Sequence, residues 1–218
     1  MSREIDQKIT MEIPMKIQLH GNEKNPKRVY LLLHGFSLTG KFMLDFFKSI
    51  AHEDDLIISP NAPFPSPVRS KGEFLEGYSW FFYDVKKDQF FIEYETAAKA
   101  VVDGVEKYIP KNSEVIIVGY SQGGYLSPFV ANKLAQTKAI ICVASSSRVE
   151  LLEKKLNFEI YTINGSLDTI VDFEKAIKRM EELVSRGTKG QSYIIENNHR
   201  LDPEYLRTVK NILKEHLS

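Results

Sequence analysis

Residues 114–130 read EVIIVGYSQGGYLSPFV. Val115 to Val118 form an unbroken apolar run of branched residues, the pattern of a strand buried on both faces. The run stops at Gly119-Tyr120-Ser121-Gln122-Gly123. Beyond it, GGYLSPFVANKLA carries Leu126, Val130 and Leu134 at helical spacing. A Gly-x-Ser-x-Gly match arises by composition in roughly one chain in fifteen of this length. Its flanks make it informative, because strand, sharp turn and helix are the context a nucleophile elbow requires. Side chains at positions 119 and 123 would crowd so tight a turn, so glycine suits both. The turn would lift Ser121 out at the carboxyl end of a sheet, where ligands bind in open α/β folds. Two readings stand at this point: Ser121 is a nucleophile, or it belongs to a phosphate-binding or purely structural turn.

Similar apolar runs lie on both sides of this stretch. RVYLLL (28–33), LIIS (56–59), AIICVA (139–144), FEIYTIN (158–164) and QSYIIE (191–196) read as buried strands. Helical spacing recurs in Tyr94, Ala97, Ala98, Val101, Val102, Val105, Tyr108 and Ile109, and again in Phe173, Ala176, Ile177, Met180 and Val184. A last helix carries Leu201, Tyr205, Leu206, Val209, Ile212 and Leu213, with Asp202 as N-cap and Pro203 at its first position. Strands alternating with helices predict an α/β fold with a mostly parallel sheet covered on both faces. Residues 11–19, MEIPMKIQL, alternate with a period of two, and Pro14 places them at an antiparallel edge. No repeat or low-complexity linker divides the chain, so residues 1–218 read as one domain.

Composition excludes several function classes. The chain has 29 Lys plus Arg and 29 Asp plus Glu, so no net charge draws it to nucleic acid or an anionic membrane. The single Cys142 lies in an apolar run and reads as a buried thiol without a disulfide partner. No apolar run approaches 18 residues, which argues against membrane insertion. The start, MSREIDQKIT, lacks the apolar core of a signal peptide, so the expected location is cytoplasmic.

If Ser121 is a nucleophile, it needs a base. Only His199 and His216 follow it. His216 lies near the end of the last helix, whereas His199 sits in the loop between the last strand and that helix, which favours His199. A carboxylate should follow another strand, and Asp168 in NGSLDTIVD fits; Asp172 reads as an N-cap and Glu196 is a weaker rival. Its task would be to hold the imidazole in one tautomer. The backbone N–H groups of Gln122 and of Phe36, in LLLHGFSLTG, are the candidate oxyanion donors. Gly35 would let the turn aim the Phe36 amide, and His34 reads as a hydrogen-bonded structural residue. No metal or organic cofactor is called for.

Residues 60–93 break the alternation. They open on PNAPFPSP, and from Phe64 to Tyr94 they hold ten of the chain's 24 aromatic residues. Either a satellite hydrophobic cluster or the wall of an apolar pocket would explain them; an ordered connection of this length is more often functional. It is too short for a large cap domain.

Taken together, LLLHGF, SPNAPFP, SWFFYD, VGYSQGG, NGSLDTIV and the stretch from His199 through LDPEYLRTVKNILKEHL resemble, in order from about residue 28 onward, the α/β-hydrolase carboxylesterases of the phospholipase/carboxylesterase and acyl-protein thioesterase group. The resemblance implies an α/β-hydrolase fold, Ser121, Asp168 and His199 as triad, and Phe36 and Gln122 as oxyanion donors. It also implies that Trp80 and its neighbours Phe81 and Phe82 line the acyl side of the pocket. Ser37 and Leu38 stand where the family often has Gly-Asp, and Asn198 where it often has Gly. The expected activity is hydrolysis of a small to medium acyl or aryl ester, or a thioester. Acyl-protein thioesterase or lysophospholipase activity, an amidase, and a non-catalytic ligand binder are the alternatives. Aromatics at 74–91 could also serve a homodimer contact.

Overall fold

Seven strands form one sheet. They are β1 (Ile17–Gly21), β2 (Arg28–Leu33), β3 (Leu56–Pro60), β4 (Glu114–Tyr120), β5 (Thr137–Val143), β6 (Glu159–Gly165) and β7 (Gly190–Ile195). Their order across the sheet is β1-β3-β2-β4-β5-β6-β7. Every pair is parallel except β1 with β3, so the sheet is mostly parallel with one antiparallel edge. These features come from a computed structural model that describes residues 3, 5, 7, 12–84, 86–153 and 155–217.

The helices are α1 (Gly40–Phe47), α2 (Tyr94–Val105), α3 (Gln122–Ala131), α4 (Phe173–Ser185) and α5 (Pro203–His216). Alternate strand residues point to opposite faces, and this splits the core into two clusters. Leu31, Leu33, Ile117, Ile140 and Ile160 join residues of α2, α3 and α4 on one face. Tyr30, Leu32, Ile116, Val118, Ile141 and Ile163 join residues of α1 and α5 on the other. The central strands are therefore apolar on both faces through their middle residues, as in Val29–Leu33, Val115–Val118 and Ala139–Val143, which is what a sheet covered on both faces requires.

Two expectations need correction. The alternation over residues 11–19 forms a strand only from Ile17; Met11 lies outside the described residues, and Glu12 to Pro14 are exposed. The reason is the partner. Register runs from Ile17 opposite Pro60 to Gly21 opposite Leu56, and the Asn61 amide then bonds Lys16 O at 2.8 Å before the neighbouring chain turns away. Among the described residues no strand continues the pairing past Lys16 to residues 12–15. Helix α1 was not read from the sequence at all. It has eight residues, of which Met43 and Phe47 are buried, and is capped by the Thr39 side chain accepting from Phe42 N–H.

Between β3 and α2 the chain forms three small antiparallel pairs: 64–65 with 78–79, 68–70 with 73–75, and 82–84 with 89–92. Their tight pairing takes the place of a cap domain and carries aromatic residues to the carboxyl edge of the sheet.

Candidate active site

β4 runs to Tyr120, and α3 starts at Gln122. One residue, Ser121, makes the whole reversal, at φ 50° and ψ −115°. That backbone costs of order 1–3 kcal/mol and persists only where its surroundings dictate it. They do. A Cβ on Gly119 would lie 2.3 Å from Ser127 Oγ, and one on Gly123 would lie 2.2 Å from Leu33 O. Ser121 N–H donates to Val143 O at 2.9 Å, while Ser121 O accepts from the amides of Gly124 and Tyr125.

His199 Nε2 lies 3.0 Å from Ser121 Oγ, and His199 Nδ1 lies 2.7 Å from Asp168 Oδ2. The Asp168 side chain is fully buried. Its second oxygen accepts from the amides of Ile170 (2.7 Å) and Val171 (2.9 Å). One carboxylate oxygen is thus pinned by backbone, and the other is left for the imidazole. The loop carrying His199 is held by two phenols: Tyr120 donates to His199 O and Tyr205 to Asn198 O, each at 2.8 Å. Burial pushes the Tyr120 phenol up to about 12, so it stays a neutral donor.

The rival groups are occupied elsewhere. His216 Nε2 is 2.8 Å from the Tyr193 hydroxyl, and Asp172 caps α4 by accepting from Lys175 N–H. Cys142 is buried, and burial raises its thiol to about 12. Among the described residues no group of three or more His, Cys, Asp or Glu could hold a metal ion, and no helix is long and apolar enough to cross a membrane.

His34 is structural. Its Nε2 accepts from Ala62 N–H at 2.9 Å, which leaves Nδ1 to donate to Gly35 O at 2.7 Å. Gly35 has a reason other than the freedom of its backbone: a Cβ there would lie 3.0 Å from the Tyr120 ring. Ser37, where the family often has glycine, sits at φ 56°; its amide bonds Tyr78 O and its hydroxyl lies 2.8 Å from Ser66 Oγ. Among the described residues the amides of Phe36 and Gln122 donate to no other backbone group.

A pocket of about 660 Å³ opens beside Ser121. Phe36, Phe81, Phe82, Tyr83, Tyr94 and Tyr125 give it an aromatic wall. Phe81 packs on Tyr94, and Tyr94 stacks flat on Phe129, each with ring centroids 4.5 Å apart. So the aromatic segment is both a cluster joined to the core and a pocket wall. Trp80, expected in the pocket, is not part of it. It is fully buried, with Nε1 donating to His34 O at 2.7 Å and its ring 4.7 Å from the imidazole. Trp80 is buried behind the site as a buttress, while Phe81, Phe82 and Tyr83 line it. The Gln122 side chain locks this arrangement, accepting from Trp80 N–H at 3.0 Å and donating to Phe81 O at 2.9 Å. Sequence reasoning also missed Arg148, Glu150 and Arg179 in the pocket. Their spacing carries no motif, and three separate elements bring them together with Ser121.

The model of the phospholipase/carboxylesterase family matches residues 16–217. The chain belongs to this family. Solved structures of the same fold include esterase PE8, 23% identical with a TM-score of 0.74 over 96% of this chain and 100% of that one. Acyl-protein thioesterase 2 from Zea mays is 15% identical, with a TM-score of 0.71 over 93% and 99% of the two chains. A carboxylesterase from Mesorhizobium loti is 15% identical, with a TM-score of 0.69 over 94% and 97%. At these identities the likeness is one of fold. A search of curated proteins found no match. The chain is thus a member of an esterase- and thioesterase-type α/β-hydrolase family.

Proposed function

We propose that the protein is a serine hydrolase of carboxylic esters or thioesters, acting through an acyl-enzyme on Ser121. The observation that carries this is the hydrogen-bonded row from Ser121 Oγ through His199 to the buried Asp168, at the mouth of the pocket. Ser121 Oγ attacks the acyl carbonyl while His199 Nε2 takes its proton. The Phe36 and Gln122 amides donate hydrogen bonds to the developing oxyanion; losing one such donor costs about 2.7–4 kcal/mol of transition-state stabilisation. The imidazolium then gives its proton to the departing alcohol or thiol. Water, deprotonated by His199, releases the acid and restores Ser121. Asp168 holds the ring with Nδ1–H toward it and stabilises the charged form.

The pocket volume lies within the ~300–1,000 Å³ that small-molecule sites occupy. Its aromatic wall suits a small to medium acyl or aryl group. Ser121→Ala should lower kcat on p-nitrophenyl butyrate by a factor of at least about 10⁴. A fluorophosphonate probe should label Ser121 in the unaltered chain. Retained turnover in the variant, or a folded protein that takes no label, would remove the proposal and favour a ligand binder. Rates over p-nitrophenyl esters of rising length separate the subclasses. A steep fall beyond short chains argues against lysophospholipid or acyl-protein substrates.

A further inference from the structure

Three charged side chains line the same pocket as Ser121: Arg148, Glu150 and Arg179. They do not play equal parts. The Arg148 guanidinium is hydrogen-bonded to Glu150 and lies over the rings of Tyr83 and Phe90, 5.5 and 5.7 Å from their centroids. It is thereby neutralised and fixed. Arg179 projects from α4 and is partly buried. Among the described residues, Arg28, Arg148 and Arg186 are the arginines in ion pairs, and Arg179 has no carboxylate partner. It lines the same pocket as Tyr94, Tyr125 and Glu150, and its charge acts on all three.

Among the charged groups that line the pocket, Arg148 and Glu150 cancel and Arg179 is left over against aromatic walls; the Asp168 carboxylate is buried behind His199 and does not line it. A guanidinium beside apolar surface, with its donors unused by protein, presents a planar fork matched to a carboxylate. One net charge matches one monoanion. Glu150 would repel a second negative group, so a doubly charged ligand fits less well. We propose that the substrate is an ester bearing a carboxylate on its acyl or its alcohol part, and that Arg179 binds that carboxylate while Ser121 attacks the ester carbonyl. The proposal takes the hydrolase reading as given and adds its substrate class.

Two matched pairs of esters distinguish which part carries the charge. Mono-p-nitrophenyl glutarate against p-nitrophenyl valerate places a carboxylate at the end of the acyl arm. 4-Carboxyphenyl acetate against phenyl acetate places it on the leaving group. For each pair the quantity read is kcat/KM for the anionic ester divided by that for the neutral one. Comparing this ratio between the unaltered protein and Arg179→Gln cancels the intrinsic reactivity of the esters. In one pair the ratio should fall at least about tenfold in Arg179→Gln, the loss expected when a hydrogen bond to a charged group is removed. Arg179→Lys, which keeps the charge and loses the fork, should give an intermediate ratio. In the unaltered protein, about 0.5 M salt should lower the same ratio through screening, a readout that needs no variant to fold. Ratios that ignore both Arg179 and salt in both pairs would overturn the proposal and leave the esterase reading standing. No Ser121-dependent turnover of any of the four esters would overturn both.

Discussion

His34 shows how a single side chain can tie stability to pH without touching substrate. Burial, opposed by its bond to Gly35 O, holds its pKa down at about 4, from an ordinary 6.5. Below pH 6.5 the unfolded chain takes up a proton that the folded chain refuses until near pH 4. Stability is therefore full above 6.5 and is lost as pH falls across that window, by about 3 kcal/mol in all. Urea denaturation at pH 7 and pH 4.5 should show a loss about 2 kcal/mol smaller in His34→Gln than in the unaltered protein; equal losses would mean His34 is not held neutral. Ser121 shows the opposite economy. Its strained backbone is imposed by neighbours, since both flanking glycines are hemmed in by atoms closer than 2.5 Å from any added Cβ. These single-residue roles were only partly legible in the sequence: the turn residues are near neighbours, but Ala62, which bonds His34, and Leu33 O, which hems Gly123, are not. Ser121, Gly119 and Gly123 lie within five residues, and Asp202 caps α5 one position before Pro203 as its residue type foretold.

At the scale of elements, the segment 78–81 fastens the 34–38 loop to the start of α3. Tyr78 exchanges backbone bonds with Ser37 and Leu38; Trp80 bonds His34 O; Gln122 at the start of α3 bonds both Trp80 and Phe81. The loop holding the Phe36 amide and the turn holding Ser121 are thus set against a common support. Trp80→Phe should lower unfolding free energy by about 2 kcal/mol, through a lost buried hydrogen bond and a smaller ring. It should leave the preference among acyl chain lengths as it was, whereas Phe81→Ala should shift that preference. Denaturant midpoints and a p-nitrophenyl ester series measure the two effects. A changed acyl profile in Trp80→Phe would return Trp80 to the pocket. The family resemblance placed Trp80, Phe81 and Phe82 together in the pocket. Which of them faces inward depends on strand pairing and on Gln122, 42 positions away, and composition is blind to both.

At the scale of the molecule, the sheet is anchored at its centre and looser at its edges. β4 and β5 are apolar and buried along nearly their whole length, while β1 and β7 are only partly covered. Amide hydrogen exchange should be slowest in β4, β5 and β2 and faster in β1 and β7, because opening an edge exposes little apolar surface. Protection in β1 as long-lived as in β4 would contradict this. The site stands at the end of the central strand β4, which is buried from Val115 to Tyr120. The sequence by itself determined the parallel core, the order of Ser121, Asp168 and His199, and the strand–turn–helix that carries the serine. Those follow from hydrophobic period and from short-range turn chemistry, which act between near neighbours. Only the tertiary structure decided where the edge strand begins, that Trp80 supports the pocket from behind, and that Arg148 and Arg179 enter it. Each of these is a contact between segments far apart in the chain, fixed by which backbone finds a partner and which side chain finds room.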